Sequence, residues 1–182
     1  VKVSIVPRGV AALGYAQYLP KEQFLYQTEQ LMDEMCMAFG GRAAEDITFG
    51  KISTGALSDL ERITKMAYSM VTIYGMNPEI GNMSFYDSKA SDYAFQKPYS
   101  DNTAQRIDEE VKKIIDECYK RTKDLLSHHR EHLEVIAKEL LEKEILFQAD
   151  LERLIGKRPF EKPTTYQQFT NGSMDKKPAE TE

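Results

Sequence analysis

Apolar and polar residues alternate with a period of two only at the start of the chain. Val1, Val3 and Ile5 alternate with Lys2 and Ser4, Pro7-Arg8-Gly9 marks a turn, and Leu13-Gly14-Tyr15-Ala16-Gln17-Tyr18-Leu19 resumes the extended pattern up to Pro20. This predicts a β-hairpin or two-strand edge, which is too small to stand alone in water and must pack on the rest of the chain. Beyond Pro20 the period becomes helical. Thr28 is placed to cap a helix carrying Leu31, Met35, Ala38 and Phe39, with Glu29 near the positive end of its dipole. Gly40-Gly41 then interrupts the pattern before Arg42-Ala43-Ala44-Glu45-Asp46 resumes it. Two glycines cost roughly 1 kcal/mol each against alanine inside a helix, so they predict close approach of another backbone or a local break, and in either case a tightly packed crossing.

The next stripe, Ile63, Met66, Ala67, Met70, Val71 and Tyr74, has i, i+3, i+4, i+7 spacing and stops at Gly75 and Pro78. Asp59 stands four residues before Ile63 and so shares its face. A carboxylate turned toward a core is costly unless it is paired, hydrogen-bonded or bound to a metal. Two readings stay open. Asp59 either serves the free N–H groups and the dipole at the helix start, or holds a ligand. Residues 77–99 form an aromatic-dotted loop with Phe85, Tyr86, Tyr93, Phe95 and Tyr99, of a length that is usually functional or mobile. Ser100 or Asp101 caps a long helix with Ile107, Val111, Ile114, Cys118 and Leu125 on one side. A further helical stretch carries Leu133, Ile136, Ala137 and Leu140, and a short helix over 149–154 ends at Gly156. Residues 161–182, rich in Pro, Lys, Thr and Glu, read as a disordered tail. The fold class is therefore mainly α with a small N-terminal β-hairpin.

Composition limits the function classes. With 182 residues, 41% hydrophobic and 29% charged, one domain with one core is the default. Net charge is −5 and the basic residues are scattered among acids, which argues against a nucleic-acid partner. No stretch approaches the roughly 18 apolar residues of a membrane span, and the first residues resemble neither a signal nor a transit peptide. So abrupt a start suggests the inside of a longer protein. Cys36 and Cys118 both fall in helical patterns and read as free buried thiols with no catalytic role. His128-His129-Arg130-Glu131-His132 matches His-x-x-Glu-His, the arrangement in which histidines four apart on a helix hold one zinc. Its surroundings are strongly polar and Arg130 opposes a dication, so solvated histidines are expected there.

Other residues carry a close resemblance. Lys2-Val3-Ser4-Ile5-Val6-Pro7-Arg8-Gly9, Leu13-Gly14-Tyr15-Ala16-Gln17-Tyr18-Leu19-Pro20, Gly40-Gly41-Arg42-Ala43-Ala44-Glu45, Ser53-Thr54-Gly55-Ala56 with Asp59-Leu60, Tyr74-Gly75-Met76 and Leu140-Leu141-Glu142-Lys143-Glu144 occur in order and with compatible spacing. Together they resemble the peptidase domain of FtsH-type membrane-anchored AAA zinc proteases. The ending Gly156-Lys157-Arg158-Pro159-Phe160 is most similar to the paraplegin-like mitochondrial branch. The resemblance implies a mainly helical metallopeptidase domain over residues 1–160, hexameric assembly beneath an ATPase ring, and unfolded or extracted membrane proteins as substrates. It also implies a mitochondrial inner-membrane location facing the matrix. In that family zinc is held by two histidines of a His-Glu-x-x-His helix and by an aspartate of a Thr/Ser-Gly-x-x-x-Asp-Leu segment. Asp59 matches that aspartate, so the resemblance tips the balance toward a metal ligand.

The chain departs from the family at one point. No His-Glu-x-x-His occurs in these residues, and Val1 corresponds to a position shortly after it. One zinc ligand of three is present and no catalytic residue is, so the expectation is a piece of a zinc endopeptidase that is inactive alone. ATP and Mg²⁺ would belong to an AAA module absent from these residues, and membrane attachment to absent N-terminal spans. A non-catalytic scaffold is the alternative, with Met32, Met35, Met37, Met66 and Met70 packing between subunits. The opening strands add one inference from physics: a free strand edge can take an extended peptide as an added strand, unless an upstream segment covers it.

Overall fold

A computed structural model of the protein describes residues 1–7, 14–18, 24–86 and 98–157. The turn at Arg8-Gly9, most of the aromatic-dotted loop and the 161–182 tail lie outside the described residues. The chain is mainly α: the described residues form five helices and one small antiparallel sheet, divided between two compact units.

The unit of residues 20–133 holds three packed helices, α1 (Thr28–Phe49), α2 (Leu57–Thr72) and α3 (Asp101–His128). Helix α1 begins one residue earlier than the Thr28 cap predicts, with the Gln27 N–H donating to the Gln30 side chain at 2.8 Å. It then runs unbroken through Gly40 and Gly41. Among the described residues a Cβ added at either would meet nothing within 4 Å, so none of their backbone crosses there and the expected tight packing is corrected. The glycines lie on an open stretch of α1, where the i→i−4 ladder continues without help from side chains. Leu31, Met35 and Phe39 of α1, Ile63, Ala67, Met70 and Val71 of α2, and Ile107, Val111 and Cys118 of α3 form one buried cluster, joined by Ile80. Met35 and Met70 are in that cluster and Met32 and Met66 pack against it, so of the Met stripes only Met37 is exposed. Leu125 is a miss: the buried stripe of α3 ends at Thr122 and Leu125 is exposed.

Polar bonds lock α3 across α1. The Cys36 thiol donates to the Cys118 carbonyl at 3.5 Å and Thr122 Oγ1 donates to the Cys36 carbonyl at 3.2 Å. Both thiols are free, as expected. Asp46 accepts from Tyr119 at 2.9 Å and Lys123 at 2.7 Å. The bond from Lys123 first, and that from Tyr119 second, hold its carboxyl below the ordinary range.

The unit of residues 1–19 and 134–182 is built on a three-stranded antiparallel sheet of order β2-β1-β3, with β1 Lys2–Ser4, β2 Tyr15–Gln17 and β3 Ile145–Phe147. Val3 pairs with Ala16 on one side and Leu146 on the other. The expected hairpin is present and gains a third strand that the sequence pattern hides, because three apolar residues between two helical runs show no period. Helix α4 (Arg130–Lys143) leads into β3, and α5 (Gln148–Ile155) comes directly after it. Glu139 and Lys143 of α4 and Asp150 and Arg153 of α5 form an ionic cluster, with Lys143 to Asp150 at 2.9 Å.

Candidate functional site

The candidate site grows from the chain's exit from α1. Gly50 takes a left-handed conformation, φ 62°, and its N–H closes the helix on the Asp46 carbonyl at 2.8 Å. Residues 51–55 are then all exposed, so little apolar burial holds their path. Two charged side chains from the last turns of α1 do so instead. Arg42 Nη1 donates to the Ser53 carbonyl at 2.6 Å, and the Ser53 N–H donates to Glu45 Oε2 at 2.9 Å. Glu45 thereby sits below its ordinary carboxyl range, chiefly through its hydrogen bonds from Ser53. Ser53 Oγ in turn accepts from the Gly55 N–H at 3.3 Å and caps the single 3₁₀ turn Thr54–Ala56. Buried Ala56 anchors the end of that turn, and α2 starts at Leu57.

Asp59 is the third residue of α2, and it is exposed. The expectation of a carboxylate facing the core is therefore corrected. Helical side chains tilt toward the N-terminus, so a first-turn residue projects past the end of the apolar stripe that Ile63 begins. Nor is Asp59 a cap: it makes no hydrogen bond or ion pair with any described residue, and the N-cap of α2 is Ala56, without a side-chain bond. At this position the helix dipole favours its charge. A free carboxylate oxygen is a donor that zinc accepts, so Asp59 fits the part of a single ligand. Among the described residues no three His, Cys, Asp or Glu side chains come together in a group that could hold a metal.

Three large apolar side chains between the end of α1 and the start of α2 are exposed. Phe49, Ile52 and Leu57 are 72%, 55% and 66% exposed. On the neighbouring face a groove of about 590 Å³ runs between α1 and α2, lined by Tyr26, Leu31, Ser58, Glu61, Arg62, Met66 and Tyr74, with Arg62 paired to Glu34 at 3.1 Å.

The histidine motif has no common helix. His128 ends α3, His129 is its C-cap at φ −107° and ψ 31°, and α4 begins at Arg130. The four-residue spacing therefore spans a helix junction. His129 meets His128 edge to face at 4.9 Å and stacks on His132 at 5.3 Å, and all three residues are exposed. In the sheet β3 takes the second side of β1, so of the two opening strands only β2 is an outer strand, with β3 on the other edge.

Sequence reasoning missed the Arg42–Glu45 grip on Ser53. Its signal was an opposite-charge i, i+3 pair in the last turns of a helix, shortly before a Ser-Thr-Gly turn.

Comparison with known proteins bears on the whole chain. The profile of "Peptidase family M41" matches residues 1–154. An "ATP-dependent zinc metalloprotease FtsH" of Rhodothermus marinus is 56% identical over 165 residues, covering 88% of this chain and 23% of that protein. The "Mitochondrial inner membrane m-AAA protease component AFG3L1" of Mus musculus is 49% identical over 173 residues, 95% of this chain and 22% of its own length. The "ATP-dependent zinc metalloprotease FTSH 8, mitochondrial" of Oryza sativa subsp. japonica is 49% identical over 177 residues, 96% of this chain and 21% of its own. The chain thus spans about a fifth of the length of these relatives.

Proposed function

Because the chain belongs to peptidase family M41, and is of the FtsH type within it, we propose that it forms part of the proteolytic domain of an ATP-dependent, membrane-anchored zinc endopeptidase. On this reading the whole assembly is a homo- or hetero-hexamer that degrades misfolded or unassembled membrane proteins. Mitochondrial relatives support a place at the mitochondrial inner membrane, facing the matrix. The FtsH relatives of Rhodothermus marinus, at 56% identity, and Parabacteroides distasonis, at 52%, favour a second reading of place, a bacterial protease of the same type.

The observation that carries the proposal is Asp59, a free, exposed carboxylate on the first turn of α2 in the segment that matches the family's zinc aspartate. Asp59 would hold zinc through one oxygen, its charge offsetting part of the dication's. Zinc, when bound, supplies Lewis acidity toward a peptide carbonyl and a water acidified toward neutral pH. The chain's own contribution is to place that carboxylate on a rigid helix end and leave it open to a partner segment. Exposed Phe49, Ile52 and Leu57, on the stretch that leads from α1 into α2, support such a segment packing over that stretch, since large exposed apolar side chains favour a covering surface.

The test is Asp59→Asn in the full-length protein. Asn keeps the shape and one acceptor oxygen but loses the charge. Zinc affinity is expected to fall by more than the roughly 10–100-fold that loss of an outer-shell partner costs, with peptidase activity falling alongside it and ATP hydrolysis retained. Because Asp59 makes no capping bond, the helix itself should barely change, and thermal unfolding of the apoprotein checks this. Wild-type zinc content and proteolysis in the Asn variant would refute the ligand assignment.

A further inference from the structure

We propose that Arg42 and Glu45 are positioning residues for Asp59, acting through Ser53; this rests on the zinc-ligand reading of Asp59. The two side chains grip both main-chain groups of one residue, Arg42 on the carbonyl at 2.6 Å and Glu45 on the N–H at 2.9 Å. Holding both groups fixes the peptide planes before and after Ser53, which is extended at φ −114° and ψ −179°. Both bonds involve a charged partner and are stronger than neutral ones. They act where apolar burial is slight, since residues 51–55 are all exposed.

From Thr54 to Asp59 no loop intervenes: the 3₁₀ turn leads straight into α2 through Ala56 at φ −90° and ψ 15°. The Ser53 cap, the turn Thr54–Ala56 and the first turn of α2 follow one another directly between the gripped residue and the carboxylate. The direction in which the chain enters that run is thus passed on to Asp59. The packing of Ile63, Ala67 and Met70 fixes the body of α2, while the grip sets its first turn against α1. A zinc ligand must sit within a few tenths of an ångström of its bonding distance, so a first turn free to fray would lose affinity while the core stayed intact.

The test uses the full-length protein with four variants: Glu45→Ala, Glu45→Asp, Glu45→Gln and Arg42→Ala. Glu45→Ala and Arg42→Ala are expected to lower zinc affinity by about 10–100-fold, the usual cost of an outer partner. Glu45→Gln, whose amide oxygen still accepts the Ser53 N–H, should recover most of that loss. Glu45→Asp, one methylene short, should not, and it keeps the test available if the alanine variants fail to fold. Hydrogen exchange over residues 50–56 should quicken at least about 10-fold in Glu45→Ala while exchange in the middle of α2 stays unchanged. In the Glu45→Ala/Asp59→Asn double variant, zinc affinity should match that of Asp59→Asn alone, because Glu45 acts only through Asp59. Zinc affinity within about threefold of wild type in Glu45→Ala and Glu45→Asp would overturn the proposal, being well short of the loss of an outer partner. So would a further loss of affinity in the double variant. If Asp59→Asn itself retains zinc, the ligand reading falls and takes this one with it; if Asp59→Asn loses zinc and the Glu45 variants do not, the positioning role alone falls.

Discussion

Asn77 and Glu110 show at single-residue scale how this fold keeps a charge inside. Asn77 Oδ1 accepts from the Glu79 and Ile80 N–H groups at 2.9 and 3.0 Å, and its Nδ2 donates to Glu110 Oε2 at 3.0 Å. Glu110, its side chain only 12% exposed, is also paired with Lys113. Lys113 first and Asn77 second hold its carboxyl below the ordinary 4.5. A carboxyl lowered by folding contributes stability that is fully present above about pH 4.5 and is lost as pH falls through the lower folded value. Asn77→Ala leaves the two loop N–H groups and one carboxylate oxygen unpaired, so it is expected to cost about 1–3 kcal/mol at neutral pH. The loss of stability on acidification should also become shallower in that variant. Thermal unfolding between pH 7 and pH 3 measures both, and equal slopes for the two proteins would show that Asn77 does not help hold the charge.

At the scale of elements, glycines separate places where two segments touch from places where nothing does. A Cβ on Gly14 would lie 2.8 Å from the Ser4 carbonyl oxygen, and Ser4 pairs with Tyr15 in the β1–β2 register. Backbone cannot give way as a side-chain tip can, so Gly14→Ala is expected to destabilise the sheet by about 1–3 kcal/mol. Gly41 is the opposite case, exposed in the middle of α1 with nothing within 4 Å of its added Cβ. Gly41→Ala should therefore stabilise α1 by up to about 1 kcal/mol, the propensity difference between the two residues. Urea unfolding of both variants checks the pair. A destabilised Gly41→Ala would mean that another surface comes close to α1 at that point in solution.

Taken as a whole molecule, the 182 residues hold no His-Glu-x-x-His helix, and on the proposed function they offer one carboxylate, Asp59, to the metal. If the proposed function is right, a preparation of this chain alone binds zinc weakly at micromolar concentration and hydrolyses no unfolded casein, while it keeps its helical circular dichroism. Chelator-sensitive proteolysis by the isolated chain would sink this and return attention to His128, Glu131 and His132. Alanine at His128 and His132 is the control that identifies such an activity as theirs.

The helices were legible from sequence because each carries its own apolar face, and a 3.6-residue period needs no knowledge of the partner. Leu31, Met35, Ile63, Met70, Ile107 and Cys118 are buried where that period puts them. The family, too, was legible, from the order and spacing of its motifs. Tertiary structure decided what depends on segments meeting. Strand β3 exists through pairing with β1 from the far end of the chain, and its three residues have too short a run to show alternation. Asp59 shares a face with Ile63 in the pattern but stands beyond the end of the packed surface, because only the fold sets where helix neighbours stop. The grip of Arg42 and Glu45 on Ser53 arises from the direction the chain takes after the left-handed Gly50, which side-chain periodicity does not encode.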